Sequence, residues 1–143
     1  MQNNYMRIIL DTNLWISFLI TKDLSKLDEI IFSKQGTLIF SAELLEEFLE
    51  VAQRPKFKKF FPQEDVEQIL KTIEEYAEFV TVITKTDVCR DPKDNFLLSL
   101  SIDGNADFLI TGDKDLLALH PFEKTSIITI SDFLQFHPYP KNT

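Results

Sequence analysis

The sequence predicts an α/β fold, a three-layer α/β/α sandwich around a five-stranded parallel sheet with Rossmann-like topology. Short apolar runs typical of buried strands alternate along the whole chain with stretches that are apolar at helical spacing. This order indicates parallel strands joined by right-handed helical crossovers, with helices on both faces of the sheet. Only three Gly are present, which suits a helix-rich fold.

Length and composition indicate one globular domain. The chain has 143 residues, enough for one core and too few for two, and we expect a domain over 1–137 with a flexible tail over 138–143. Hydrophobic residues make up 44%, an ordinary fraction. The thirteen Phe are many for this length, and those outside the core are candidates for a subunit interface, so a homodimer is one candidate assembly.

Charge and cysteine content narrow the function classes. A net charge of −8 argues against a passive nucleic-acid binder, which would normally be basic, but not against a nuclease with acidic metal ligands. The single cysteine excludes an internal disulfide and fits a reducing cytoplasm. The N-terminus has no signal-peptide pattern, and no apolar run approaches the ~20 residues of a membrane span. We therefore expect a cytoplasmic protein with no membrane partner.

The first half of the chain predicts two strands and four helical segments. Met6–Leu10 and 37–40 are apolar runs of strand length. Thr12 or Asn13 is expected to cap the helix after the first strand, and Gly36 to end the helix before the second. Three helical segments are expected at 14–19, 24–33 and 64–79. A fourth lies between the second and third of these, where Ser41 caps its start and Pro55 ends it.

The second half predicts three more strands and three helices. The strands are expected at 80–83, 107–111 and 126–130. Asp91 and Pro92 open a helix over 93–102, which Gly104 and Asn105 close. A short helix follows at 114–119, and Ser131 is expected to cap a last helix that runs to residue 136.

Four acidic residues lie just after predicted strands or near the starts of helices. They are Asp11, Glu47, Asp94 and Asp113. Because the carboxyl ends of parallel strands open on one edge of a sheet, we expect these side chains to gather there. Gathered carboxylates repel one another unless a cation lies among them, and oxygen-only ligands favour Mg²⁺ or Mn²⁺. The pattern predicts a metal-dependent hydrolase that acts on phosphodiesters.

Helix capping is the competing explanation for two of these residues. Asp11 could cap the helix after the first strand, but Thr12 and Asn13 can do so themselves, which favours a functional Asp11. Asp91 is the better cap for its helix and a supporting residue of the site. Asp94, one turn in, stays ionised near the positive end of the helix dipole, where a cation could use it.

The other two residues have acidic neighbours that compete for the same role. Gly112 allows a sharp turn that brings Asp113 over the sheet edge, whereas Asp115 is a supporting residue and the candidate cap of the next helix. Glu47 lies at the border of the apolar side of its helix, and Glu46 points further into solvent. Helical phase favours Glu47 only slightly, so the choice between these two glutamates stays open.

Other catalytic chemistries lack the residues they need. The two histidines, His120 and His137, lie late in the chain beside proline and belong to no ligand spacing. Cys89 has no paired histidine and is expected to pack in the interior. The sequence therefore excludes a serine triad, a zinc site and a thiol mechanism, and it contains no Gly-rich phosphate loop.

The chain resembles the PIN domain family of metal-dependent ribonucleases, in particular the bacterial and archaeal branch related to the VapC toxins of toxin–antitoxin pairs. The resemblance spans residues 6 to about 135 and is carried by the stretches 8–13, 41–48, 91–98 and 110–117. It implies a Mg²⁺ site that maps onto Asp11, Glu47, Asp94 and Asp113, with polar support from Asn13 and Thr111. It also makes a cognate antitoxin a candidate partner, although toxicity does not follow from it.

The resulting hypothesis is hydrolysis of single-stranded RNA with one or two Mg²⁺ or Mn²⁺ ions at the carboxylates. One basic cluster, Arg-Pro-Lys-Phe-Lys-Lys-Phe-Phe at 54–61, is interleaved with aromatic residues. Its Arg54, Lys56 and Lys58 could hold the phosphate backbone while the aromatic rings stack on bases. A solvated loop with buried Phe explains the same stretch at least as well.

Two rival functions fit part of the pattern. A phosphatase could use Asp11 as its nucleophile, but the haloacid-dehalogenase signature requires a second Asp where this chain has Asn13. A PIN-like fold could also be a catalytically silent module that binds RNA or protein. The four acidic residues disfavour that second alternative.

Overall fold

A computed structural model describes residues 6–136 of the chain, and the domain end and tail expected from residue 137 onward lie outside that range. The strands are β1 (Met6–Leu10), β2 (Gly36–Phe40), β3 (Ala77–Phe79), β4 (Phe108–Ile110) and β5 (Ser126–Ile128). They form one sheet in the order β3-β2-β1-β4-β5, and every neighbouring pair runs parallel. The predicted five-stranded parallel sheet is confirmed.

Eight α-helices connect and flank the strands within the described residues. They are α1 (Thr12–Thr21), α2 (Ser25–Asp28), α3 (Ala42–Ala52), α4 (Pro55–Lys58), α5 (Gln63–Tyr76), α6 (Asn95–Asp103), α7 (Lys114–Leu117) and α8 (Ile130–Phe136). A π-helical stretch, Glu29–Ser33, continues α2, and a 3-10 turn, Pro92–Asp94, leads into α6. None of the helices described here is long and apolar enough to cross a bilayer.

Helices cover both faces of the sheet. Successive strand residues point to opposite faces, yet Ile8 and Ile9 of β1 are both fully buried, as are Leu38 and Ile39 of β2. Right-handed crossovers place the helices between β1 and β3 on one face and those between β3 and β5 on the other, because the chain reverses its direction across the sheet after β3. The three-layer α/β/α arrangement follows.

The reversal places a topological switch point between β1 and β4. The chain leaves β1 toward β2 on one side, and β4 later pairs with β1 on the other. Leu10 lies opposite Ile110, so the two strands end level with each other. The backbone N of Asp11 continues the pairing by donating to Ile110 O at 3.1 Å. Ligands of open α/β sheets bind in the crevice at such a point.

Aromatic packing holds α1 against α3 beside this crevice. Trp15 of α1 is completely buried and packs on Phe40 at the end of β2 and on Phe48 of α3, with ring centroids 5.4 Å and 6.4 Å away. Such pairs add roughly 0.5–1.5 kcal/mol each beyond their burial. The packing therefore fixes the first turn of α1 relative to the middle of α3.

The third strand differs from the sequence prediction. The expected helix over 64–79 ends at Tyr76, and β3 occupies Ala77–Phe79, where the spacing predicts helix. The expected strand at 80–83 is wrong, since β3 ends before it. The physical reason is sheet pairing: β2 offers backbone groups that an extended 77–79 segment satisfies, and this outweighs local helical spacing.

Gly36 begins β2 and does not terminate the preceding helix. Gln35 adopts the left-handed conformation expected of that glycine, with φ 56°. A Cβ on Gly36 would lie 2.7 Å from Ile8 Cδ1 and 2.9 Å from the Ile30 carbonyl oxygen, so glycine serves close packing there. Gly112 has no positive φ and no neighbour within 4 Å of an added Cβ, so the turn before Asp113 does not depend on glycine.

Two further helix boundaries differ from expectation. Pro55 opens the short helix α4 at its first position, in addition to following the end of α3. The last helix is capped by Thr129, whose Oγ1 accepts a hydrogen bond from Asp132 N at 3.1 Å, so Ser131 lies inside the helix. By contrast, Ser41 caps α3 as predicted, because its Oγ accepts from Leu44 N at 3.1 Å.

Candidate active site

Asp11 follows β1 directly, and both of its carboxylate oxygens are engaged. Oδ1 accepts a hydrogen bond from Leu14 N at 3.2 Å, and Oδ2 accepts one from the hydroxyl of Thr111. Asp11 therefore caps α1, and the expectation that Thr12 or Asn13 would do so is wrong, because Asp11 is the extended residue that precedes the first helical turn. Burial raises the pKa of this carboxyl, and the bonds from Thr111 and Leu14 oppose the rise.

Thr111 links the Asp11 carboxylate to the backbone of Asp113. Its buried hydroxyl donates to Asp11 and accepts from the backbone N of Asp113 at 3.0 Å. Asp113 in turn caps α7, since its Oδ2 accepts from Leu116 N at 3.0 Å. Asp115, the expected cap, lies inside the first turn of that helix. One hydroxyl thus sets the spacing between the acidic groups after β1 and β4.

Thr12 is the residue that sequence reasoning missed. It is buried, and its Oγ1 donates to Glu47 Oε2 at 2.7 Å, which ties α1 to α3 at the sheet edge. Glu47 is half-buried, whereas Glu46 is exposed. The local sequence marks Thr12 only as a helix-capping type of residue. Its partner, 35 positions away, is set by the packing of α1 on α3.

Asp94 closes the 3-10 turn that leads into α6 and is half-buried. Asp91 caps this turn, with its Oδ1 accepting from Lys93 N at 3.1 Å, as the sequence predicts. The side chain of Asp94 makes no capping hydrogen bond to α6. Its carboxylate is therefore available to the cavity beside it.

The four acidic side chains meet in one small cavity of about 50 Å³. Its lining consists of Asp11, Thr12, Asn13, Glu47, Asp94, Leu97 and Asp113, and among the described residues no Lys, Arg or His contributes to it. The pKa of Asp94 is raised to about 6, first by burial and then by the nearby negative charges. Those charges belong to Asp113, Asp91, Glu47 and Asp11.

A larger open hollow of about 650 Å³ adjoins the small cavity and shares part of its lining. Asp11, Asn13 and Asp113 line both, and Asp115 lines only the larger one. The side chain of Asn13 is exposed at this junction. The hollow has space for a substrate beside the carboxylates.

The oxygen donors of the cavity are of the type that binds a hard divalent cation, although their spacing does not form a complete coordination shell. Within residues 6–136, no three Asp, Glu, His or Cys side chains are arranged closely enough to hold a metal ion together. The cavity nevertheless presents only oxygen donors and concentrated negative charge, which is the environment that Mg²⁺ and Mn²⁺ prefer.

The three basic residues predicted to hold RNA lie outside this cavity. Arg54 directly precedes α4 and forms a two-pronged ion pair with Glu50, with N–O distances of 2.8 Å and 3.2 Å. Lys56 and Lys58 lie on α4 and are exposed. They form a separate surface close in sequence to the helix that carries Glu47.

Comparison with known proteins identifies the family. The PIN domain model matches residues 7–115, which is more than half of the chain. The chain belongs to the PIN domain family. Among solved structures it is similar to VapBC2 from Rickettsia felis bound to a DNA fragment from their promoter, at 17% sequence identity and a TM-score of 0.58, covering 85% of this chain and 98% of that chain. That likeness shows a shared fold. A search of curated proteins found no match.

Asp94 should make the stability of this PIN domain depend on pH. Its folded-state pKa of about 6 lies above its ordinary value of 3.8, so the folded protein binds this proton more tightly than the unfolded chain. The contribution is fully present below about pH 4 and is lost as the pH rises through about 6. We expect the melting temperature in EDTA to fall across this interval, and to fall less in Asp94→Asn.

The matched control for this titration is Asp132→Asn, which changes an exposed carboxylate on α8. It should keep the wild-type profile. Equal slopes for Asp94→Asn and the wild type would contradict the assignment of the pH dependence to Asp94.

Proposed function

We propose that this PIN domain is a divalent-metal-dependent endoribonuclease that cleaves single-stranded RNA. The observation that carries the proposal is the cavity at the switch point, where four carboxylates meet in a lining that, among the described residues, contains no Lys, Arg or His. Such a donor set suits Mg²⁺ or Mn²⁺. Membership of the PIN domain family supports the same assignment.

The proposal assigns a role to each residue of the site. The ion is held by four carboxylates, those of Asp11, Glu47, Asp94 and Asp113. The hydroxyl of Thr111 positions Asp11, and the hydroxyl of Thr12 positions Glu47. Asp91 shapes the turn that carries Asp94, and Asp115 lines the hollow for substrate. Asn13, exposed at the junction, can donate its amide hydrogens to a phosphate. A bound Mg²⁺ or Mn²⁺ supplies a Lewis acid and acidifies water for phosphodiester hydrolysis.

The phosphatase alternative receives no support from the geometry. A nucleophilic Asp11 would need an oxygen free to attack phosphorus. Both of its oxygens accept hydrogen bonds, one from Leu14 N and one from Thr111, and its side chain is buried.

The test is an RNA-cleavage assay with the full chain and single-stranded RNA, in Mg²⁺, in Mn²⁺ and in EDTA. Cleavage is expected only with a metal, and Asp11→Asn should abolish it. Asn remains a good N-cap, so this variant should still fold. Cleavage that persists in EDTA or in Asp11→Asn would refute the proposal. RNA binding without cleavage would favour the catalytically silent module.

The proposal extends to protein partners and location. We propose a cognate antitoxin protein as a partner in the cytoplasm, supported by the likeness to VapBC2, and a homodimer as a second assembly. A small antitoxin gene upstream of the coding sequence would support the first. The mass of the purified chain by light scattering tests the second.

A further inference from the structure

The densest positive charge in the described chain follows the helix that carries Glu47. Residues 54–61 contain four cations and no acid, in a protein with a net charge of −8. The cations are Arg54, Lys56, Lys58 and Lys59, and all four are exposed. Within residues 6–136 the three lysines form no ion pair. Three like charges without an ion-pair partner favour an anionic ligand from outside the chain.

The end of α3 brings this surface near the carboxylates. Arg54 lies two residues past the C-terminus of α3, the helix that carries Glu47. The pKa of the Arg54 guanidinium is raised first by its hydrogen bond with Glu50 and further by the negative charge of Glu47. The side chains of Arg54 and Glu47 are therefore close enough to interact electrostatically, and one strand of nucleic acid can reach both places.

One aromatic ring in this surface is left uncovered. Phe61 is buried and Phe57 is half-buried against the core, so a loop with buried Phe explains those two residues. Phe60 is 50% exposed, and the Nζ of Lys59 lies 5.4 Å from its ring centroid. Lys22 ties the segment to α1 by donating to the Phe60 carbonyl oxygen at 3.5 Å. The contact is to the backbone of Phe60, and half of the side chain stays exposed.

We propose that Arg54, Lys56, Lys58, Lys59 and Phe60 form a binding track for single-stranded RNA, in which the cations contact phosphates and Phe60 stacks on an unpaired base. The track rests on the proposed function, because it leads a strand toward the acidic cavity. Single strands present phosphates and free base faces together, whereas a duplex hides its base faces by stacking. The track also supplies the positive charge that the cavity lacks.

Glu50 modulates this track by occupying Arg54. The two-pronged pair, at 2.8 Å and 3.2 Å, holds the guanidinium where a phosphate oxygen would compete for the same N–H groups. The two neighbouring charges therefore have opposite effects. Arg54→Gln should weaken RNA binding, and Glu50→Gln should strengthen it by freeing the guanidinium.

The binding experiment uses the full chain in EDTA and a fluorescent, mixed-sequence, single-stranded RNA, with anisotropy measured across a salt series. The triple variant K56Q/K58Q/K59Q should bind about tenfold more weakly at low salt and lower the salt slope by about 2, because each phosphate that no longer meets a lysine reduces the slope by about 0.7. Its matched control, K26Q/K71Q/K124Q, removes three exposed lysines elsewhere and keeps the slope. Phe60→Ala should weaken binding roughly tenfold through the absence of stacking.

The failure of the track and the failure of the nuclease can be told apart. Hydrolysis of RNA and of bis(p-nitrophenyl) phosphate by the wild type reports on the nuclease assignment, whereas kcat/KM on RNA should fall about tenfold in K56Q/K58Q/K59Q and stay unchanged in K26Q/K71Q/K124Q. If neither substrate is cleaved but the track variants lose RNA binding, the track stands and the nuclease assignment fails. Equal binding by the two triple variants overturns the track, as does binding to duplex RNA that is as tight as binding to the single strand.

Discussion

Glu47→Gln should reduce metal-dependent RNA cleavage by about 10²-fold or more, because the loss of one ligand from a metal clamp removes several kcal/mol of transition-state stabilisation. Glu46→Gln, the adjacent change of the same kind, should leave most of the activity. The structure distinguishes the two, since Glu47 is half-buried and accepts a hydrogen bond from Thr12, while Glu46 is exposed. The measurement is kcat/KM on single-stranded RNA at saturating Mn²⁺.

The controls for this pair are stability and metal binding. Gln retains an oxygen for the Thr12 hydroxyl, so both variants should stay within about 0.5 kcal/mol of the wild type in urea unfolding. The Mn²⁺-induced rise in melting temperature should shrink in Glu47→Gln alone. If Glu46→Gln were inactive and Glu47→Gln active, the side of α3 that carries Glu46 would face the substrate.

Asp113→Asn should also lower cleavage by about 10²-fold, and it should raise the melting temperature of the metal-free protein. The substitution removes one of the negative charges that surround Asp94 and Asp11. It preserves the cap of α7, because the Asn oxygen can accept from Leu116 N in place of Asp113 Oδ2. Since a ligand that binds only the folded state stabilises it, the Mn²⁺-induced shift should decrease at the same time.

Asp113→Ala separates the two roles of this side chain. It removes the charge together with the cap, and the lost cap costs about 1 kcal/mol. We therefore expect Asp113→Ala to melt below Asp113→Asn in EDTA, with both variants inactive. If Asp113→Asn melts below the wild type, the Asp113 carboxylate stabilises the metal-free protein. Repulsion among the carboxylates would then not be what lowers its melting temperature.

Much of the fold could be predicted because it depends on local pattern. Apolar runs such as Met6–Leu10 indicate buried strands, and their alternation with helical segments predicts a parallel sheet. The error at β3 has a different origin. Residues 77–79 follow the helical spacing of α5, but the unpaired edge of β2 binds them as a strand, and nothing in their own sequence shows that edge.

In the candidate site, too, one part could be predicted from sequence and another could not. Acidic residues after strands and at helix starts can be placed from sequence, because strand ends share one edge of a parallel sheet. The hydrogen bonds that orient them could not be predicted. Thr111 reaches Asp11 across 100 positions, and Thr12 reaches Glu47 across 35, so each pairing exists only after the strands and helices have packed.

By itself, the sequence determined the α/β class, the parallel sheet and the ends of the elements at which Asp11, Asp94 and Asp113 lie, since all of these follow from periodicity and order along the chain. Tertiary structure alone decided that Asp11 and Asp113 cap helices while they face the cavity, and that Phe60 remains exposed when Phe61 is buried. The physical reason is that a cap, a buried hydroxyl partner and an uncovered ring depend on which segments pack together, and packing joins residues that are distant in the chain.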